Sequence, residues 1–193
     1  MSSGLQAQRI ALLANKGETI FHIKDLATLW NIREPKTLRM TLKRYADAGL
    51  LHRIYRGFYA TLPLEDLSAE ELGAKALHAY TYLSTETVLF QQGYMSQKPQ
   101  AITFISSNHK IFNIGGRAYL SRQLKKAFLY SPEGLQEQNG IKIASVERAI
   151  ADLLYFNPLA SFDKKVNWSA VRSLQKKIGY TLTPTRYVAS KTQ

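Results

Sequence analysis

Residues 35–60 have the sequence PKTLRMTLKRYADAGLLHRIYRGFYA, which decides the fold expected for the first third of the chain. Pro35 suits the first turn of a helix, where its missing N–H is not needed, and Gly49 is placed to end that helix. Two short strands, at 51–55 and 58–61, are then joined by a turn at Arg56-Gly57. A cationic helix followed at once by a cationic hairpin is the layout of a winged helix-turn-helix.

The helix predicted within this stretch has one apolar side and one basic side. Leu38, Leu42, Tyr45 and Ala46 recur at helical spacing and are expected to face a core. Asp47 is the only acid in the helix body, and it lies near the C-terminal end. Because surface helices usually alternate charge sign, this bias favours a polyanion over the alternative of an ordinary solvated face. The basic side contains Lys36, Arg39, Met40 and Lys43, with Arg44 flanking it.

Side chains of this helix and hairpin are the predicted DNA contacts. Arg39 suits a base-reading role because a guanidinium can hold O6 and N7 of guanine together. Thr37 and Met40 suit the thymine methyl group, and Arg44 suits a phosphate. Tyr55 either contacts the DNA backbone or packs under the wing. The complete predicted set is Lys36, Thr37, Arg39, Met40, Lys43, Arg44, Arg53, Tyr55 and Arg56.

Positive charge is concentrated at both ends of the sequence. The chain has 193 residues and a formal net charge of +12. The first 62 residues hold ten Lys/Arg against four Asp/Glu, and after Asp163 there are seven Lys/Arg and no acid. Such a field favours nucleic acid or an acidic membrane surface, unless it serves solubility alone. A secondary basic surface, expected to extend the contact along neighbouring phosphates, is predicted at Lys164, Lys165, Lys176 and Lys177.

Several function classes are disfavoured by what the sequence lacks. There is no cysteine, which excludes disulfides and thiolate sites and fits a reducing cytosol. The four histidines are far apart, so we predict no metal site. No phosphate-binding glycine loop and no nucleophile motif occurs, so we predict no catalytic residues, no cofactor and no enzyme. Apolar runs are too short for a signal peptide or a membrane span, so we expect a cytoplasmic protein without a membrane partner.

The sequence predicts an α+β protein of two domains. The N-terminal winged helix-turn-helix would cover 1–62, and a mixed α/β domain with a basic C-terminal helix would cover 63–193. An acidic segment after Pro63 is expected to begin a linking helix that continues through His78. The other helices are predicted at 5–16, 24–30, 85–92, 146–156 and 168–178, and the other strands at 19–22, 101–106, 118–120, 127–130 and 141–144.

Two C-terminal segments, YLSTETVLFQQGYMSQKPQAITFIS (82–106) and IKIASVERAIADLLYF (141–156), resemble the AbiEi family of regulator-antitoxins. The family patterns are Y-x-S-x-x-S-A-L-x-x-H-G, P-x-x-I-T-V and I-A-S-x-E-K-A-L-x-D-L-L. The likeness covers roughly residues 8–180, and it departs from the pattern at Thr87 and Gln92. The matching residues are Tyr82, Ser84, Thr87, Val88, Leu89, Gly93, Pro99, Ile102, Thr103, Ala144, Ser145, Glu147, Arg148, Ala149, Asp152, Leu153 and Leu154.

The resemblance implies the antitoxin of a type IV toxin–antitoxin pair that also represses its own operon. Its partners would be double-stranded DNA, at inverted repeats of its own promoter, and a nucleotidyltransferase toxin that it opposes without a stable complex. Two alternatives stay open: a winged-helix regulator with a ligand-sensing C-terminal domain and no toxin, and an enzyme with a DNA-binding head. Most motif residues are expected to be structural, with Ser84 and Ser145 as helix caps and with Arg148 and Asp152 paired on a helix surface.

Overall fold

The computed structural model describes residues 3–184, and over that range the protein is a mixed α+β fold with two sheets. The chain separates into two compact units, Met1–Ala76 (unit 1) and Leu77–Gln193 (unit 2). The acidic segment after residue 62 belongs to unit 1. Its helix is tied back to the N-terminal part by a hydrogen bond from Thr19 to Glu71 and by an ion pair between Lys75 and Glu18.

Unit 1 is helical with a small antiparallel sheet. The sheet has the strand order β1-β3-β2, and Ile20 pairs with Ala60 while Arg53 pairs with Tyr59. A register shift between Arg53 and Tyr55 marks a bulge in β2. The elements of unit 1 are α1 (Ser3–Lys16), β1 (Ile20–His22), α2 (Ile23–Leu29), α3 (Pro35–Asp47), β2 (His52–Tyr55), β3 (Phe58–Ala60) and α4 (Ala69–Leu77), with a 3-10 turn at Leu64–Asp66.

Local chemistry sets the turn between α2 and α3. His22 caps α2, because its Nδ1 accepts from the Lys24 amide and its own amide donates to Asp25. After α2, Asn31 adopts a positive φ of 50°, a conformation that Asn tolerates better than most residues. The amide of Ile32 then donates to the Ala27 carbonyl at 2.9 Å, which turns the chain towards α3.

One hydrophobic core holds unit 1 together. The buried side chains of α3 meet those of α1, α2 and the sheet, and Trp30 packs edge-on against Tyr45 with ring centroids 5.4 Å apart. The predicted apolar side of the helix is confirmed at Leu38, Leu42 and Tyr45, whereas Ala46 is half-buried. The core consists of Leu13, Phe21, Leu26, Trp30, Ile32, Leu38, Leu42, Tyr45, Leu51 and Tyr59.

Unit 2 is built on a six-stranded mixed sheet with the order β6-β7-β5-β4-β9-β8. The β4–β9 and β5–β7 pairs are parallel, and the other pairs are antiparallel. The strands are β4 (Thr81–Leu83), β5 (Ile102–Ser106), β6 (Lys110–Ile114), β7 (Arg117–Gln123), β8 (Leu135–Gln138) and β9 (Ile141–Ala144). The helices are α5 (Thr85–Gln91), α6 (Lys126–Leu129), α7 (Val146–Phe156) and α8 (Trp168–Ile178).

The predicted strands of unit 2 need correction. The strand predicted at 127–130 is wrong, because this segment is the helical turn α6, in which the amide of Leu129 donates to the Lys125 carbonyl at 3.0 Å. The ring of Phe128 packs edge-on against Tyr155 and Tyr180, a contact that the local sequence does not reveal. Strands β4, β6 and β8 are not among the predicted strands, although β6 pairs with β7 along its whole length.

A buried polar network joins α7 to the sheet of unit 2. Arg148 and Asp152 form the expected pair at 3.0 Å, but both side chains are 0% exposed, so the expected surface location is wrong. Asp152 also accepts from the Tyr180 hydroxyl at 2.6 Å and from Ser84 at 2.8 Å. Arg148 donates to the Tyr82 hydroxyl at 2.6 Å. The opposite charges of Arg148 and Asp152 therefore compensate each other, and neighbouring protein groups form hydrogen bonds with most of their remaining donors and acceptors.

Only one of the two predicted serine caps works as expected. Ser145 accepts a hydrogen bond from the Arg148 amide at 3.2 Å, as an N-cap does. Ser84 occupies the N-cap position of α5 without a capping hydrogen bond, because its hydroxyl donates to Asp152 instead. The capping prediction for Ser84 is therefore wrong, and the cause is the stronger demand of a buried carboxylate for donors.

Candidate nucleic-acid interface

Helix α3 is fixed at both ends, so its two sides are well defined. At the start, Pro35 occupies the first turn and the Glu34 carboxylate accepts from the Lys36 amide at 3.1 Å. At the end, Gly49 adopts a φ of +68° and the Leu50 amide donates back to the Tyr45 carbonyl at 2.9 Å. Burial of one side in the core of unit 1 leaves the opposite side in solvent.

The outward side of α3 carries every residue predicted for this helix. Lys36, Thr37, Arg39, Met40, Lys43 and Arg44 are all exposed. The Met40 side chain is 58% exposed, an unusual position for an apolar group among cations. Within residues 3–184, no ion pair involves Lys36, Arg39 or Lys43, and Arg44 contacts the Thr41 hydroxyl at 3.4 Å. This side therefore presents positive charge together with one flexible apolar group.

The β2–β3 hairpin supplies the remaining predicted contacts of unit 1. Arg53 and Arg56 are exposed, and the turn at Arg56-Gly57 is confirmed, with Gly57 at a φ of +80°. The Gly57 carbonyl accepts from the Ile23 amide at 2.8 Å, which anchors the tip of the hairpin to the start of α2. Tyr55 is half-buried, with its ring 6.4 Å from that of Phe58. Tyr55 is thus partly covered by its own hairpin.

A short connection joins these two parts of the candidate interface. Only residues 48–51 separate α3 from β2, and the amides of Leu50 and Leu51 both donate to the Tyr45 carbonyl. Arg33, which was not among the predicted contacts, is also exposed in the turn before α3. Because Arg33 is a cation in the turn predicted before α3, its charge could have placed it among the predicted DNA contacts. The nine predicted residues therefore belong to one unit, and eight of them are exposed.

The predicted secondary basic surface belongs to unit 2, and its four lysines differ in their surroundings. Lys164 donates to the Gln92 carbonyl at 2.7 Å and lies over the Tyr94 ring. Lys177 is 3.7 Å from a carboxylate oxygen of Glu133. Lys165 and Lys176 are exposed, one before α8 and one in its last turn. Two of the four ammonium groups are therefore already held by protein acceptors.

Comparison with known proteins identifies a similar fold and no family. No protein-family model matches the sequence, and no curated protein matches it. Among solved structures, the chain is similar to the crystal structure of the RV2827C protein from Mycobacterium tuberculosis. The TM-score is 0.51 at 12% sequence identity, over 100% of this chain and 83% of that chain. At this identity the likeness concerns the fold alone.

The arrangement in unit 1 is suited to contact with an extended polyanion. A 13-residue helix is about 20 Å long, and the major groove of B-DNA is about 12 Å wide and admits an α-helix. Cations on the helix and on the neighbouring hairpin can neutralise phosphates, while Met40 and Thr37 offer apolar contact to base edges.

Within residues 3–184, no helix is long and apolar enough to cross a membrane.

Proposed function

We propose that this chain is a DNA-binding transcriptional regulator whose unit 1 is a winged helix-turn-helix. The order of elements in unit 1 supports this, since α2, a short turn and α3 are followed directly by the β2–β3 hairpin. The observation that carries the proposal is the outward side of α3, where Lys36, Arg39 and Lys43 form no ion pair within residues 3–184 and no acid lies in the N-terminal half of the helix. A side chain set of this kind is expected where a helix meets phosphates and base edges.

In the proposed complex, α3 lies in the major groove and the hairpin lies along the phosphates. Arg39 binds O6 and N7 of a guanine, and Met40 contacts a thymine methyl group. Lys43, Arg53 and Arg56 neutralise phosphates, which sets affinity and salt dependence without reading sequence. Specificity therefore depends on the middle of α3, and affinity depends on the whole basic surface of unit 1.

We further propose that the regulator is the antitoxin of a type IV toxin–antitoxin pair and represses its own operon at inverted repeats. The support is the AbiEi-like pattern and the position of its residues. Tyr82, Ser84, Arg148 and Asp152, which come from both patterned segments, meet in the buried network of unit 2. These four pattern residues therefore have a structural role in unit 2, and we expect antitoxic activity to depend on residues outside the network.

Footprinting on the DNA upstream of the gene tests the DNA-binding proposal. The wild-type protein should protect an inverted repeat, and replacement of Arg39, Lys43 and Arg56 together by Ala should abolish the protection. A matched control replaces three exposed lysines that lie outside the proposed contacts, Lys16, Lys98 and Lys110, and so removes the same charge. If the first triple variant protects the repeat as well as the control does, the interface has been assigned to the wrong surface.

Co-expression tests the antitoxin proposal separately. A nucleotidyltransferase encoded by the adjacent gene should arrest growth, and this chain should restore growth. Because the proposal involves no stable complex, the two proteins should not co-purify. Restored growth with the Arg39, Lys43 and Arg56 variant would show that antitoxic activity does not need promoter binding. Continued arrest with the wild-type chain would contradict the antitoxin proposal while leaving DNA binding intact.

A cavity in unit 2 favours the second candidate, a ligand-sensing regulator without a toxin. The cavity has a volume of about 330 Å³ and is lined by residues that include Tyr155, Gln175, Tyr180 and Leu182. Small-molecule sites generally have volumes of about 300–1,000 Å³. Under this alternative, a metabolite should raise the melting temperature and change operator affinity, and Ala151→Leu, which fills the cavity, should remove both effects.

A further inference from the structure

A second surface, on unit 2, combines aromatic rings with lysines. The rings of Tyr80 and Tyr130 are in contact, with centroids 5.0 Å apart and planes inclined by 57°. The Lys142 ammonium lies 4.5 Å from the centroid of the Tyr80 ring. Tyr130 is 54% exposed, and no other Phe, Tyr or Trp among residues 4–184 is classed as exposed. A large planar ring is therefore held in solvent by a neighbouring ring.

Two further lysines begin the helical turn that ends at this ring. Lys125 and Lys126 are both exposed, and Lys126 lies four residues before Tyr130, so the two side chains share one side of the turn. Within residues 3–184, none of Lys125, Lys126 and Lys142 forms an ion pair. Glu137 lies opposite Lys142 in the backbone register of the β8–β9 ladder, but the two side chains do not form an ion pair.

The packing of α6 explains why the ring is held in place. Leu129 is fully buried and Phe128 packs edge-on against Tyr155 and Tyr180, so the turn is anchored from below. Tyr130 follows these two anchors directly, which limits its freedom to fold inwards. A ring ordered in this way loses little conformational entropy when a ligand stacks on it.

The chemistry of this surface selects one class of ligand. Lysine is depleted at the cores of protein–protein interfaces, whereas phosphates attract it. In duplex DNA the base faces are stacked on one another, so an exposed aromatic ring can stack only on an unpaired base. A ring beside lysines is the combination that single-stranded nucleic acid binding requires.

We propose that unit 2 binds single-stranded nucleic acid, with an unpaired base stacked on Tyr130 and adjacent phosphates held by Lys125, Lys126 and Lys142. This site is distinct from the duplex-binding surface proposed for unit 1, since it uses no residue of α3 or of the β2–β3 hairpin. The shared ligand chemistry is an unpaired base next to phosphate, which either RNA or DNA can supply.

Fluorescence anisotropy with labelled rU12 and dT12 at low salt tests this site on the full chain. Tyr130→Leu should weaken binding about tenfold or more, because the planar ring is lost while an apolar side chain is kept. Tyr130→Phe should bind like wild type. Replacing Lys126 and Lys142 with Gln should lower the salt slope by about 1.4, which corresponds to two phosphate contacts on a single strand. Tighter binding of rU12 than of dT12 would identify RNA as the ligand.

Two controls separate this site from the proposed duplex site. The Arg39, Lys43 and Arg56 variant should keep single-strand binding and lose duplex binding, and Tyr130→Leu should do the reverse with an unchanged melting temperature. Leu159→Ala, at a side chain that is 82% exposed in unit 2, should change neither. Equal binding by wild type and Tyr130→Leu, or loss of single-strand binding in the α3 variant, would overturn the proposal.

Discussion

At the scale of single residues, we expect the Arg148–Asp152 pair to have a large effect on the free energy of unfolding because both side chains are buried. Removing one partner of a buried pair leaves an uncompensated charge, and this typically costs about 3–5 kcal/mol. We therefore expect Asp152→Ala to lower the free energy of unfolding by that amount in urea denaturation. The double variant Arg148→Met with Asp152→Leu should lose less than Asp152→Ala because no charge is left unpaired, but it should stay below wild type because the hydroxyls of Ser84, Tyr82 and Tyr180 lose their partners.

An exposed ion pair of unit 2 provides the control for this prediction. Lys177 and Glu133 are 3.7 Å apart and both are well exposed. Exposed pairs contribute about 0–1 kcal/mol, so Lys177→Ala should change stability little. A similar loss of stability for Lys177→Ala and Asp152→Ala would show that burial is not the cause.

The two tyrosines of the network make stability depend on pH in alkaline solution. Burial, and then the Asp152 carboxylate, raise the pKa of Tyr82 and of Tyr180 far above their ordinary value of 10.0. Above pH 10 the unfolded chain loses phenol protons that the folded chain keeps, so stability falls as pH rises. Each tyrosine should contribute a slope of about 1.4 kcal/mol per pH unit in that range. Urea unfolding of Tyr82→Phe and Tyr180→Phe above pH 10 should each show a slope smaller by that amount.

Arg39 and Lys43 should differ in the kind of DNA binding they support. Arg39→Ala should cost about 1–3 kcal/mol on the operator and relax the preference at one base pair, because it is proposed to hold a guanine edge. Lys43→Ala should weaken all sequences alike and lower the salt slope by about 1. Competition binding with operator variants over a range of salt concentrations measures both effects. An equal loss of specificity in the two variants would contradict the division of roles.

The sequence predicted the exposure of Arg39 and Lys43 correctly, but it did not predict the burial of Arg148 and Asp152. The outward position of Arg39 and Lys43 follows from their spacing against Leu38 and Leu42, and the structure confirms it. The spacing of Arg148 and Asp152 is the same in a surface pair and in a buried one. The signal for burial was the surrounding sequence of α7, which is apolar on nearly all sides, and a helix of that kind lies inside a core.

At the scale of elements, a side chain at Gly57, in the turn of the β2–β3 hairpin, is expected to destabilise the protein. Gly57 has a φ of +80°, so Gly57→Ala should destabilise the protein by about 1–2 kcal/mol through backbone strain. The added Cβ would also lie 3.4 Å from the His22 ring, which borders the start of α2. Because the hairpin is proposed to contact phosphates, duplex binding should weaken as well.

Gly116→Ala is the matched variant for that experiment. Gly116 has a φ of +79° in the β6–β7 turn of unit 2, and apart from its chain neighbours no atom of residues 3–184 lies within 4 Å of its added Cβ. Thermal melts should show a comparable loss of stability in both variants, while only Gly57→Ala should lose DNA affinity. Equal DNA affinity in both would argue against a role for the hairpin in binding.

Element prediction succeeded where a pattern was long and failed where it was short. Helices α3, α7 and α8 have extended amphipathic or apolar patterns with caps, and their predicted ranges are confirmed within two residues. A four-residue apolar run such as AFLY at 127–130 fits a strand and a helical turn equally well. Packing of Phe128 under two distant tyrosine rings settles that choice, and no local pattern contains it.

At the scale of the whole molecule, each unit has a core of its own. The main hydrophobic cluster of unit 1 lies within residues 13–59, so we expect a fragment of residues 1–76 to fold cooperatively and bind the proposed operator. If the secondary basic surface also extends the contact along neighbouring phosphates, as the sequence predicts, the salt slope of duplex binding should fall by about 1.8 relative to the full chain. Within residues 3–184, Lys165 and Lys176 form no ion pair, whereas Lys164 and Lys177 are held by Gln92 and Glu133. Replacing these two lysines with Gln in the full chain should give the same slope. A decrease of the salt slope that is twice as large in the fragment would show that Lys164 and Lys177 also contact DNA.

The long-range topology of unit 2 could not be predicted from the sequence. The parallel β4–β9 pair joins Leu83 to Ile143, residues that are far apart in sequence and have no complementary pattern. Only the tertiary fold brings Tyr82 and Ser84 to Arg148 and Asp152. The same limit applies to Tyr80 and Lys142, whose proximity depends on that parallel pair.

The acid at the start of α3 has a consequence for how the protein would search DNA. Helix ends with free amides attract phosphate, but in this chain the Glu34 carboxylate already accepts from the Lys36 amide. In the proposed complex, a negative group at that end would repel the sugar-phosphate backbone, so the helix would approach along its flank. Under the same proposal, we expect non-cognate sites to hold the protein mainly through its long Lys and Arg side chains, and such encounters should be brief.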